Sequence, residues 1–508
     1  MIQRISLTGW NVYATRFVDA PVWTWEAPAG TASYRVQVAT AHDEARTYHS
    51  AQPIFDMAPL WAQIPHGPVD LLIAGLDGDG NEVCTALHKR FAKAPGFAGD
   101  EQEALDWPAA VRRNIAYLLA PARDEVKDYE QGLPRSCWSS FEDSVTGQRA
   151  HLAYPALHHP SFILAFLLFA EHFPEDSLAP EARRQARQYG DWLLHNRLPA
   201  GWVCGLFPYS TIEEGRFAGG IEGRSITLFR AARAGEAMVA LYQACGDPAY
   251  LDYARHLANR FVHLQRADGS WPYRVDPETG AVTEEYTSNA VTPARLFGLL
   301  EEIEPSPVYA EARQRAMAWV LANPVQTQLW QGMYEDVGEQ KPYANLQHWD
   351  ANETIRYLLH YRQERPDAVE TAERLNRYIE DQFVVWQWEE SPVTVRCPTP
   401  TVLEQYLCYY PMEVHTGNWL LSLLMLHQAT GETGYLRKGV AAANAIVRGQ
   451  QPSGAFSTWG NDRRFGRPLR TTDWPGCNAC AATALLRWAH YYEAHQAQRP
   501  YRLGLWGV

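Results

Sequence analysis

The stretch LYQACGD at residues 241–247 returns as LHQATGE at residues 426–432, an offset of 185 positions (residue 426 against residue 241). The same offset continues downstream, where Gly269 corresponds to Gly454. A constant offset across two turns and two helical patterns indicates a repeating supersecondary unit. The unit is a pair of helices joined by a short turn that contains glycine. A helix pair cannot bury its own apolar face, so such units stack on their neighbours.

Apolar periodicity along the chain predicts twelve helices. They cover approximately residues 109–118, 161–172, 180–196, 226–245, 249–265, 290–303, 307–322, 351–363, 367–382, 417–430, 434–450 and 479–495. Short turns follow the even-numbered helices, whereas long aromatic-rich segments precede them. These six segments cover residues 124–160, 197–225, 266–289, 323–350, 383–416 and 451–478. Connections longer than about 15 residues are usually functional, so six of them on one side predict a wide cleft.

Two further segments, QRADGSW at residues 265–271 and QQPSGAF at residues 450–456, follow predicted helices and carry the repeat onward. Together with the repeat, they resemble the six-hairpin (α/α)6 toroids of carbohydrate-active enzymes. That class includes unsaturated glucuronyl and rhamnogalacturonyl hydrolases, other uronate-directed glycosidases and several polysaccharide lyases. The resemblance covers roughly residues 105–495 and implies a mainly α, ring-shaped domain. The motif indicates architecture and not chemistry, so no catalytic residue is carried over from it.

The first hundred residues have a different pattern. Residues 22–25, 34–38 and 69–73 alternate β-branched or aromatic residues with polar ones, between turn signals such as DGDG at residues 77–80. This predicts an antiparallel β-sandwich over residues 1–98, similar to fibronectin type III or immunoglobulin-like modules. A spacer packed on the toroid is favoured over a carbohydrate-binding module. Family 154 glycoside hydrolases, which consist of a sandwich followed by a toroid, have a similar layout. Residues 496–508 are predicted to form a C-terminal tail.

Composition excludes several classes of partner. The formal net charge of −13 argues against nucleic acid and anionic membranes. No apolar run reaches the roughly 18 residues that a membrane helix needs, and the first residues do not read as a secretion signal, so a cytoplasmic protein is predicted. Cys477 and Cys480 are interpreted as packed thiols in preference to a metal pair, so no metal and no cofactor are expected. Homo-oligomerisation is left open.

The long segments carry aromatic residues and carboxylates together, a combination that suits sugar rings and their hydroxyl groups. Asp350 lies at the predicted N-cap of a helix, and capping alone would explain it. A functional interpretation instead directs Asp350 and His348 into the cleft. The best single segment is YYPMEVHTGNW at residues 409–419. There Glu413 and His415 would project to the same side if the backbone were extended.

Glycoside hydrolysis needs one carboxylic acid and one carboxylate. Glu413 and Asp350 could supply this pair, with Glu222 or Asp473 as substitutes, and His415 completes the predicted catalytic set. An oligosaccharide containing a uronic acid is the predicted substrate. The predicted substrate-binding residues are Arg224, Tyr286, Tyr343, His348, Trp349, Tyr410, Asn418, Trp419, Asp473 and Trp474.

Two alternatives use the same segments. A uronate polysaccharide lyase would need a base such as His415 or Tyr410 and a group that neutralises the sugar carboxylate, such as Asn418 or Arg224. The guanidinium group of an arginine can bind a carboxylate through two hydrogen bonds. A surface salt bridge would explain the presence of any single arginine equally well. The third hypothesis is a sugar-binding protein without catalysis, whose carboxylates only recognise hydroxyl groups.

Overall fold

The computed structural model describes residues 13–41, 43–120, 142–143, 152–210, 212–213, 216–217, 225–285, 288–331, 340–387, 397–460 and 470–501. Side chains are not described for residues 142–143, 152–153, 212–213, 216–217, 288, 408–410, 459–460 and 470–473.

The described N-terminal residues form strands and one short helix, Ala58–Trp61. The strands are Arg16–Phe17 (β1), Val22–Thr24 (β2), Ser33–Thr40 (β3), Arg46–Ser50 (β4), Ile54–Asp56 (β5), Gly67–Leu76 (β6) and Glu82–Lys93 (β7). A five-stranded sheet has the order β1-β7-β6-β3-β4, and β2 pairs with β5 in a second, two-stranded sheet. All of these pairs are antiparallel except β1 with β7, which is parallel.

An aromatic core joins the two N-terminal sheets. The ring of Trp23, on β2, lies 5.5 Å from that of Phe17 and 5.2 Å from that of Phe91, both on the larger sheet. Alternate residues of β3 are buried and half-exposed, as expected for a strand with one face on a core. The smaller sheet therefore packs over the larger one.

Twelve long helices follow in the described part of the chain. They are Trp107–Leu119 (α1), Pro155–His172 (α2), Ala179–His195 (α3), Leu228–Cys245 (α4), Pro248–Leu264 (α5), Val291–Ile303 (α6), Pro307–Ala322 (α7), Trp349–His360 (α8), Ala368–Gln382 (α9), Glu413–Thr430 (α10), Thr433–Arg448 (α11) and Pro475–Gln496 (α12). Each matches one of the twelve predicted helices. The largest differences in position are the early starts of α2, α10 and α12, at residues 155, 413 and 475 instead of 161, 417 and 479.

The even-numbered helices form a closed inner ring. Each contacts the next in the order α2, α4, α6, α8, α10 and α12, and α12 contacts α2 again. The odd-numbered helices lie outside, and α1 packs on α12, so the first and last helices make the sixth pair. The predicted (α/α)6 toroid is therefore confirmed.

The repeated glutamine links each hairpin to the next one. Gln265 donates from Nε2 to the carbonyl oxygens of Gly269 (3.0 Å) and of Ala312 in α7 (2.9 Å). Gln450 makes the same two bonds, to the glycine four residues further on (2.9 Å) and to Ala110 in α1 (2.8 Å). The glutamine that is repeated in the sequence thus forms a hydrogen bond between neighbouring outer helices. The second copy closes the ring.

Glycine is required in both copies of this link. Gly269 and Gly454 each have a φ of 96°, where residues with a Cβ atom are strained. A Cβ atom would also lie 2.3 Å from the carbonyl oxygen of Arg315 in the first copy. In the second copy it would lie 2.4 Å from that of Arg113. Both contacts are with backbone atoms, which cannot move aside as a flexible side chain could.

Short strands brace the long connections before the inner helices. They are Glu142–Asp143 (β8), Leu152–Ala153 (β9), Ile212–Glu213 (β10), Arg216–Phe217 (β11), Ile226–Thr227 (β12), Arg274–Val275 (β13), Val282–Glu284 (β14), Val384–Val385 (β15), Thr401–Gln405 (β16), Cys408–Met412 (β17), Thr458–Gly460 (β18) and Arg470–Asp473 (β19). They form three-stranded sheets with the orders β11-β10-β9, β12-β13-β14, β15-β16-β17 and β18-β19-β8.

The N-terminal strands contact the outside of the toroid at the end of α9. The carboxylate of Asp381 accepts hydrogen bonds from the backbone N–H groups of Val18 (2.6 Å) and Asp19 (2.8 Å). Gln382 donates to the carbonyl of Arg16 at 3.2 Å. These contacts seat the sheets on an outer helix. Within the described residues, no helix is both long and apolar enough to span a bilayer.

Candidate active site

The inner helices all start on the face of the ring where the long connections lie. Five of the six begin directly after a short strand or a 3-10 turn: α2 after β9, α4 after β12, α6 after Ser288–Ala290, α10 after β17 and α12 after β19. Six parallel helix N-termini therefore surround one opening. Their backbone N–H groups and dipoles favour negative charge there.

Two histidines and a tryptophan meet between α8 and α10. The rings of His348 and His415 lie 4.9 Å apart, and the ring of Trp349 lies 5.6 Å from His415 in an edge-on contact. All three side chains are buried. The prediction that the segments before α8 and α10 converge is met by these residues.

Asp350 lies inside the first turn of α8, and His348 occupies the N-cap position. The prediction that Asp350 caps the helix was wrong, because the helix starts two residues earlier than predicted. The Asp350 carboxylate, 1% exposed, accepts hydrogen bonds from Nε2 of Gln347 (2.7 Å) and from Nδ2 of Asn289 (3.0 Å). Asn289 precedes α6, so Asp350 faces that helix.

Glu413 is the first residue of α10, so the expectation of an extended segment at this position was wrong. Residues two apart on a helix point about 200° apart around its axis, since each residue turns by about 100°. Glu413 and His415 therefore face different neighbours: Glu413 accepts a hydrogen bond from Thr458 Oγ1 on β18 (2.7 Å), whereas His415 contacts α8. The Glu413 side chain is 4% exposed.

We refer to Asn289, Asp350, Trp349, His415 and Glu413 as the arc. Asn289 contacts Asp350, which follows Trp349 in α8, and the ring of Trp349 contacts His415 in α10. Glu413 precedes His415 by two residues at the start of α10 and faces Thr458. The arc contains an acid pair and an imidazole on adjacent inner helices, which is the chemistry that either hydrolysis or proton abstraction requires.

A charged layer lies directly beneath the arc, on the inner faces of α4, α6 and α8. Arg295 pairs with Glu236 (3.1 Å) and with Glu353 (3.0 Å). The guanidinium of Arg233 lies 4.9 Å from the ring of Trp349 and 3.8 Å from the Glu353 carboxylate. Trp349 in turn donates from Nε1 to Glu353 at 2.9 Å. The charged layer therefore fixes the position of the tryptophan above it.

Sequence reasoning missed this layer. The sequence pattern that could have revealed it is a pair of opposite charges three residues apart in a predicted helix, as in Arg233 with Glu236 and Glu353 with Arg356. Such spacing is also usual on exposed helix faces, where it stabilises isolated helices. Because these helices are buried on all sides, their charged side chains form ion pairs with those of the neighbouring inner helices.

Burial sets the protonation states in this region. Burial lowers the pKa of His348 to about 3, and it lowers the pKa of His415 well below 6.5, with a further contribution from His348. Both imidazoles are therefore neutral at neutral pH. Burial raises the pKa of Glu236 to about 7, whereas three arginines and Thr292 outweigh the effect of burial and lower the pKa of Glu353.

The remaining predicted residues of α10 have different environments. Asn418 accepts a hydrogen bond from Nη1 of Arg356 and so belongs to the charged layer. Trp419 faces the other way, where its Nε1 donates to Asn376 on the outer helix α9 (2.9 Å) and its ring contacts Trp386 at 5.5 Å. Trp419 therefore packs between the two rings of helices.

Two half-buried aromatic residues lie in the connections that precede α8 and α12. Trp474 is the N-cap residue of α12. Tyr343 has a φ of 67°, unusual for a residue with a side chain, and its hydroxyl donates to the carbonyl of Thr327 at 3.1 Å. This backbone conformation is unfavourable for a tyrosine, so the surrounding structure must stabilise it.

Several predicted residues cannot be placed in the arc. Glu222, Arg224 and Tyr286 lie outside the described residues. Tyr410 and Asp473 lie on β17 and β19, at positions whose side chains are not described. Their predicted roles stay predictions.

In the part of the chain that is described, no three His, Cys, Asp or Glu side chains come together as a metal site. Cys480 is buried and donates to the hydroxyl of Ser161 at 3.2 Å. Burial raises the pKa of this thiol, and the nearby charge of Glu413 acts in the same direction.

No protein-family model and no curated protein sequence matches the chain. Solved structures do. The chain is similar to a D-mannose isomerase (TM-score 0.55, 12% identity, 75% of this chain and 97% of that one). It is also similar to the cellobiose 2-epimerase of Spirochaeta thermophila (0.51, 13%, 76% and 98%). A third is an unsaturated glucuronyl hydrolase specific for heparin (0.50, 10%, 76% and 98%). These are (α/α)6 toroid carbohydrate-active enzymes, and at such identities the likeness shows the shared fold.

Proposed function

We propose that the protein is a glycoside hydrolase that cleaves a glycosidic bond at a uronic-acid residue of an oligosaccharide. The observation that carries this proposal is the placement of Asp350 and Glu413. Both are buried carboxylates in the first turns of neighbouring inner helices. The solved structures with this fold include a hydrolase, an epimerase and an isomerase acting on sugars, which supports a carbohydrate substrate.

The contacts support different roles for the two acids. Asp350 accepts two amide hydrogen bonds, from Gln347 and Asn289, and such bonds favour the ionised form. Asp350 is therefore assigned as the carboxylate that activates water or stabilises the sugar cation. Glu413 is then the general acid that protonates the leaving oxygen.

Other residues would bind the sugar. Tyr343 and Trp474 are half-buried in the connections before α8 and α12, and an exposed aromatic face can pack on a pyranose ring. Trp349 and His348 contact His415, and Asn418 accepts hydrogen bonds from Arg356 in the charged layer. Trp419 is left out of this set because its contacts are with α9 and Trp386. Glu222, Arg224, Tyr286, Tyr410 and Asp473 are retained as candidates on their sequence alone.

Proton abstraction is the second candidate activity, and the pair of His348 and His415 favours it. A neutral imidazole can accept a proton from a carbon next to a carboxylate or carbonyl group. A uronate lyase would use His415 in this way. Epimerisation or isomerisation of a free sugar would use the same step.

The products distinguish these activities. The purified protein would be incubated with a panel of uronate-containing and neutral oligosaccharides. Hydrolysis releases reducing ends without ultraviolet absorbance, whereas a lyase forms a 4,5-unsaturated product that absorbs. An epimerase or isomerase changes the sugar without changing the number of reducing ends. Binding of a uronate oligosaccharide without any turnover would indicate a sugar-binding protein and not an enzyme.

The N-terminal unit has a structural role in this proposal. Residues 1–98 are taken as a fibronectin III or immunoglobulin-like sandwich that serves as a spacer on the toroid of residues 105–495, with residues 496–508 as the tail. The contacts of Asp381 with Val18 and Asp19 support it, since they seat the strands on the outer ring. Deleting the strands should then lower stability and leave the product unchanged.

A further inference from the structure

A buried glutamine joins the N-terminal strands to the toroid. Gln382 is the last residue of α9, and its side chain is fully buried. Its Nε2 donates to the backbone carbonyl of Arg16 on β1 (3.2 Å) and to the carboxylate of Asp381 (2.7 Å). Its Oε1 accepts a hydrogen bond from the hydroxyl of Tyr406 (2.7 Å). Because a backbone carbonyl can only accept, the amide group has one orientation, with its nitrogen toward the strands and its oxygen toward Tyr406.

Aromatic rings continue this contact to the arc. The ring of Tyr406 stacks on that of Phe383 at 5.6 Å, and the ring of Phe383 lies 5.0 Å from that of His348. His348 in turn contacts His415 of the arc at 4.9 Å. All four side chains are buried, so each is packed too closely to move without displacing its neighbour. Energetic coupling between distant sites is carried by such chains of packed side chains and hydrogen bonds.

The same end of α9 also contacts the residue that holds Asp350. The hydroxyl of Tyr378, on α9, donates to the backbone carbonyl of Gln347 at 3.1 Å. The side chain of Gln347 donates to the Asp350 carboxylate at 2.7 Å and accepts from the Asp350 backbone N–H at 3.2 Å. The ring of Tyr378 lies 5.7 Å from that of Phe383. The last turns of α9 therefore support both His348 and the group that orients Asp350.

The N-terminal strands hold this end of α9 through buried polar groups. Besides the bond from Gln382 to its carbonyl, Arg16 donates from Nη1 to the backbone carbonyl of Asp381 at 3.1 Å. The side chain of Arg16 is only 1% exposed. The Asp381 carboxylate accepts from the backbone N–H groups of Val18 and Asp19. A change in the position of these strands would therefore be felt by Gln382.

We propose that the N-terminal strands position the active site: their contact with Gln382 sets the positions of Tyr406 and Phe383, and thereby that of the His348 imidazole. Gln382 is the positioning residue. The effect on turnover rests on the proposed function, because the arc is taken as the site of the reaction. This role goes beyond that of a spacer, which would not influence turnover. The nature of the product stays the same, and only its rate of formation depends on the contact.

Histidine signals in nuclear magnetic resonance test the proposal without a substrate. The full-length protein is labelled with carbon-13 at Cε1 of histidine, and the His348 signal is assigned by its absence from His348→Gln. Asp381→Ala removes the acceptor for two backbone N–H groups of the strands, so the His348 signal should shift. The signal of His256, on the outer helix α5, should stay in place, because its hydrogen bond is to the backbone of the connection before α4.

Asp19→Ala is the matched control. Asp19 lies in the same contact, where its exposed carboxylate pairs with Arg377 at 3.1 Å. The substitution removes this ion pair and keeps the backbone N–H group that donates to Asp381, so the His348 signal should not shift. Shifts of equal size in Asp19→Ala and Asp381→Ala would overturn the proposal, because the buried contact would then have no special effect.

Turnover gives the second readout. Asp381→Ala should lower kcat by about 10-fold and change KM little, because misplacing a group beside the reacting atoms costs transition-state stabilisation. Tyr406→Phe removes the hydrogen bond to Gln382 and keeps the ring, so it should lower kcat by a smaller factor. Since both variants act through Gln382, the double variant should lose less than the product of the two single losses.

The two readouts separate this proposal from the proposed function. An unchanged His348 signal in Asp381→Ala would overturn the proposal whatever reaction the arc performs, and so would a normal kcat in this variant. If Asp381→Ala fails to fold, the same signal in Tyr406→Phe decides. A failure of the proposed function would instead appear in the product assay, and the histidine signals would still test the contact.

Discussion

The two copies of the hairpin link have nearly the same geometry, whereas the inner helices that follow them present different side chains to the ring. Gln265 and Gln450 make equivalent bonds, and the following glycines share one φ value. After the first link, α6 contributes Thr292 and Arg295 to the charged layer, but after the second, α12 contributes Cys480, which donates to Ser161 on α2. The ring is thus built from repeated residues, and its chemistry from residues that do not repeat.

The largest expected effect is on the residues that do not repeat. Glu413→Gln should lower turnover by roughly 100-fold to 10,000-fold, because the amide cannot protonate the leaving oxygen. Steady-state kinetics on the oligosaccharide identified by the product assay would measure it, with circular dichroism to confirm that the fold is retained. Glu302→Gln, on an exposed carboxylate that contacts His360 at the far end of the ring, is the matched control. Near-normal turnover of Glu413→Gln would remove this residue from the mechanism.

The next largest effect concerns the repeated glycine. Gly454→Ala should lower the free energy of unfolding by about 3 kcal/mol, because it adds backbone overlap with Arg113 to an unfavourable φ. Gly431→Ala is the matched control: its φ is also positive, at 72°, but nothing lies near its Cβ position, so about 1 kcal/mol is expected. Chemical denaturation of both variants measures the difference. Equal losses would show that closeness to Arg113 is unimportant.

Acid pH should weaken the scaffold as well as the site. Burial lowers the pKa of His159, which packs against Tyr189 and Trp192, to about 3. The unfolded chain binds a proton at this histidine below about pH 6.5, and the folded chain does not. The contribution of His159 to the free energy of unfolding is therefore fully present above about pH 6.5 and decreases as the pH falls. Between pH 7 and pH 5 the loss is about 2 kcal/mol for this group. His159→Phe should flatten the pH dependence measured by urea unfolding; an unchanged slope would contradict the assignment.

The smallest effect should come from the glutamine of the link. Gln450→Ala removes the two hydrogen bonds that Nε2 donates and the two that Oε1 accepts from Arg113, and should cost about 1–2 kcal/mol of unfolding free energy. Gln265→Ala removes only the two equivalent Nε2 bonds, so urea unfolding should show a smaller loss for this variant. Equal losses for the two variants would show that the bonds from Arg113 add nothing to the second link.

The ring could be predicted because its links are local and repeated, whereas the start of α10 could not. Glycine at position 417 lowers helix propensity, so the predicted helix began there. In the structure Gly417 lies within α10, where a Cβ atom would come within 3.1 Å of Ala484 on α12. Close packing of two inner helices overrides the propensity. The same packing moves Glu413 and His415 from an extended segment into a helical turn.

The site was predicted in part for a similar reason. His348, Trp349 and His415 lie in the aromatic segments that sequence reasoning selected, and they do meet. The ion pairs beneath them join residues about 60 positions apart, as in the pair of Arg295 with Glu236 at a separation of 59. No local pattern encodes such a pair, because it exists only once neighbouring inner helices stand side by side.

The pairing of α1 with α12 also dictates an order of events during synthesis. The side chain of Asn114 in α1 donates to Asn478 and to the carbonyl of Gly454, and both partners leave the ribosome more than three hundred residues later. Until then α1 has no neighbour on that side, and the apolar seam of the open ring is exposed to chaperones and proteases. A nascent chain arrested before Pro475 should accordingly be cut within α1, and one released after Gln496 should resist cleavage.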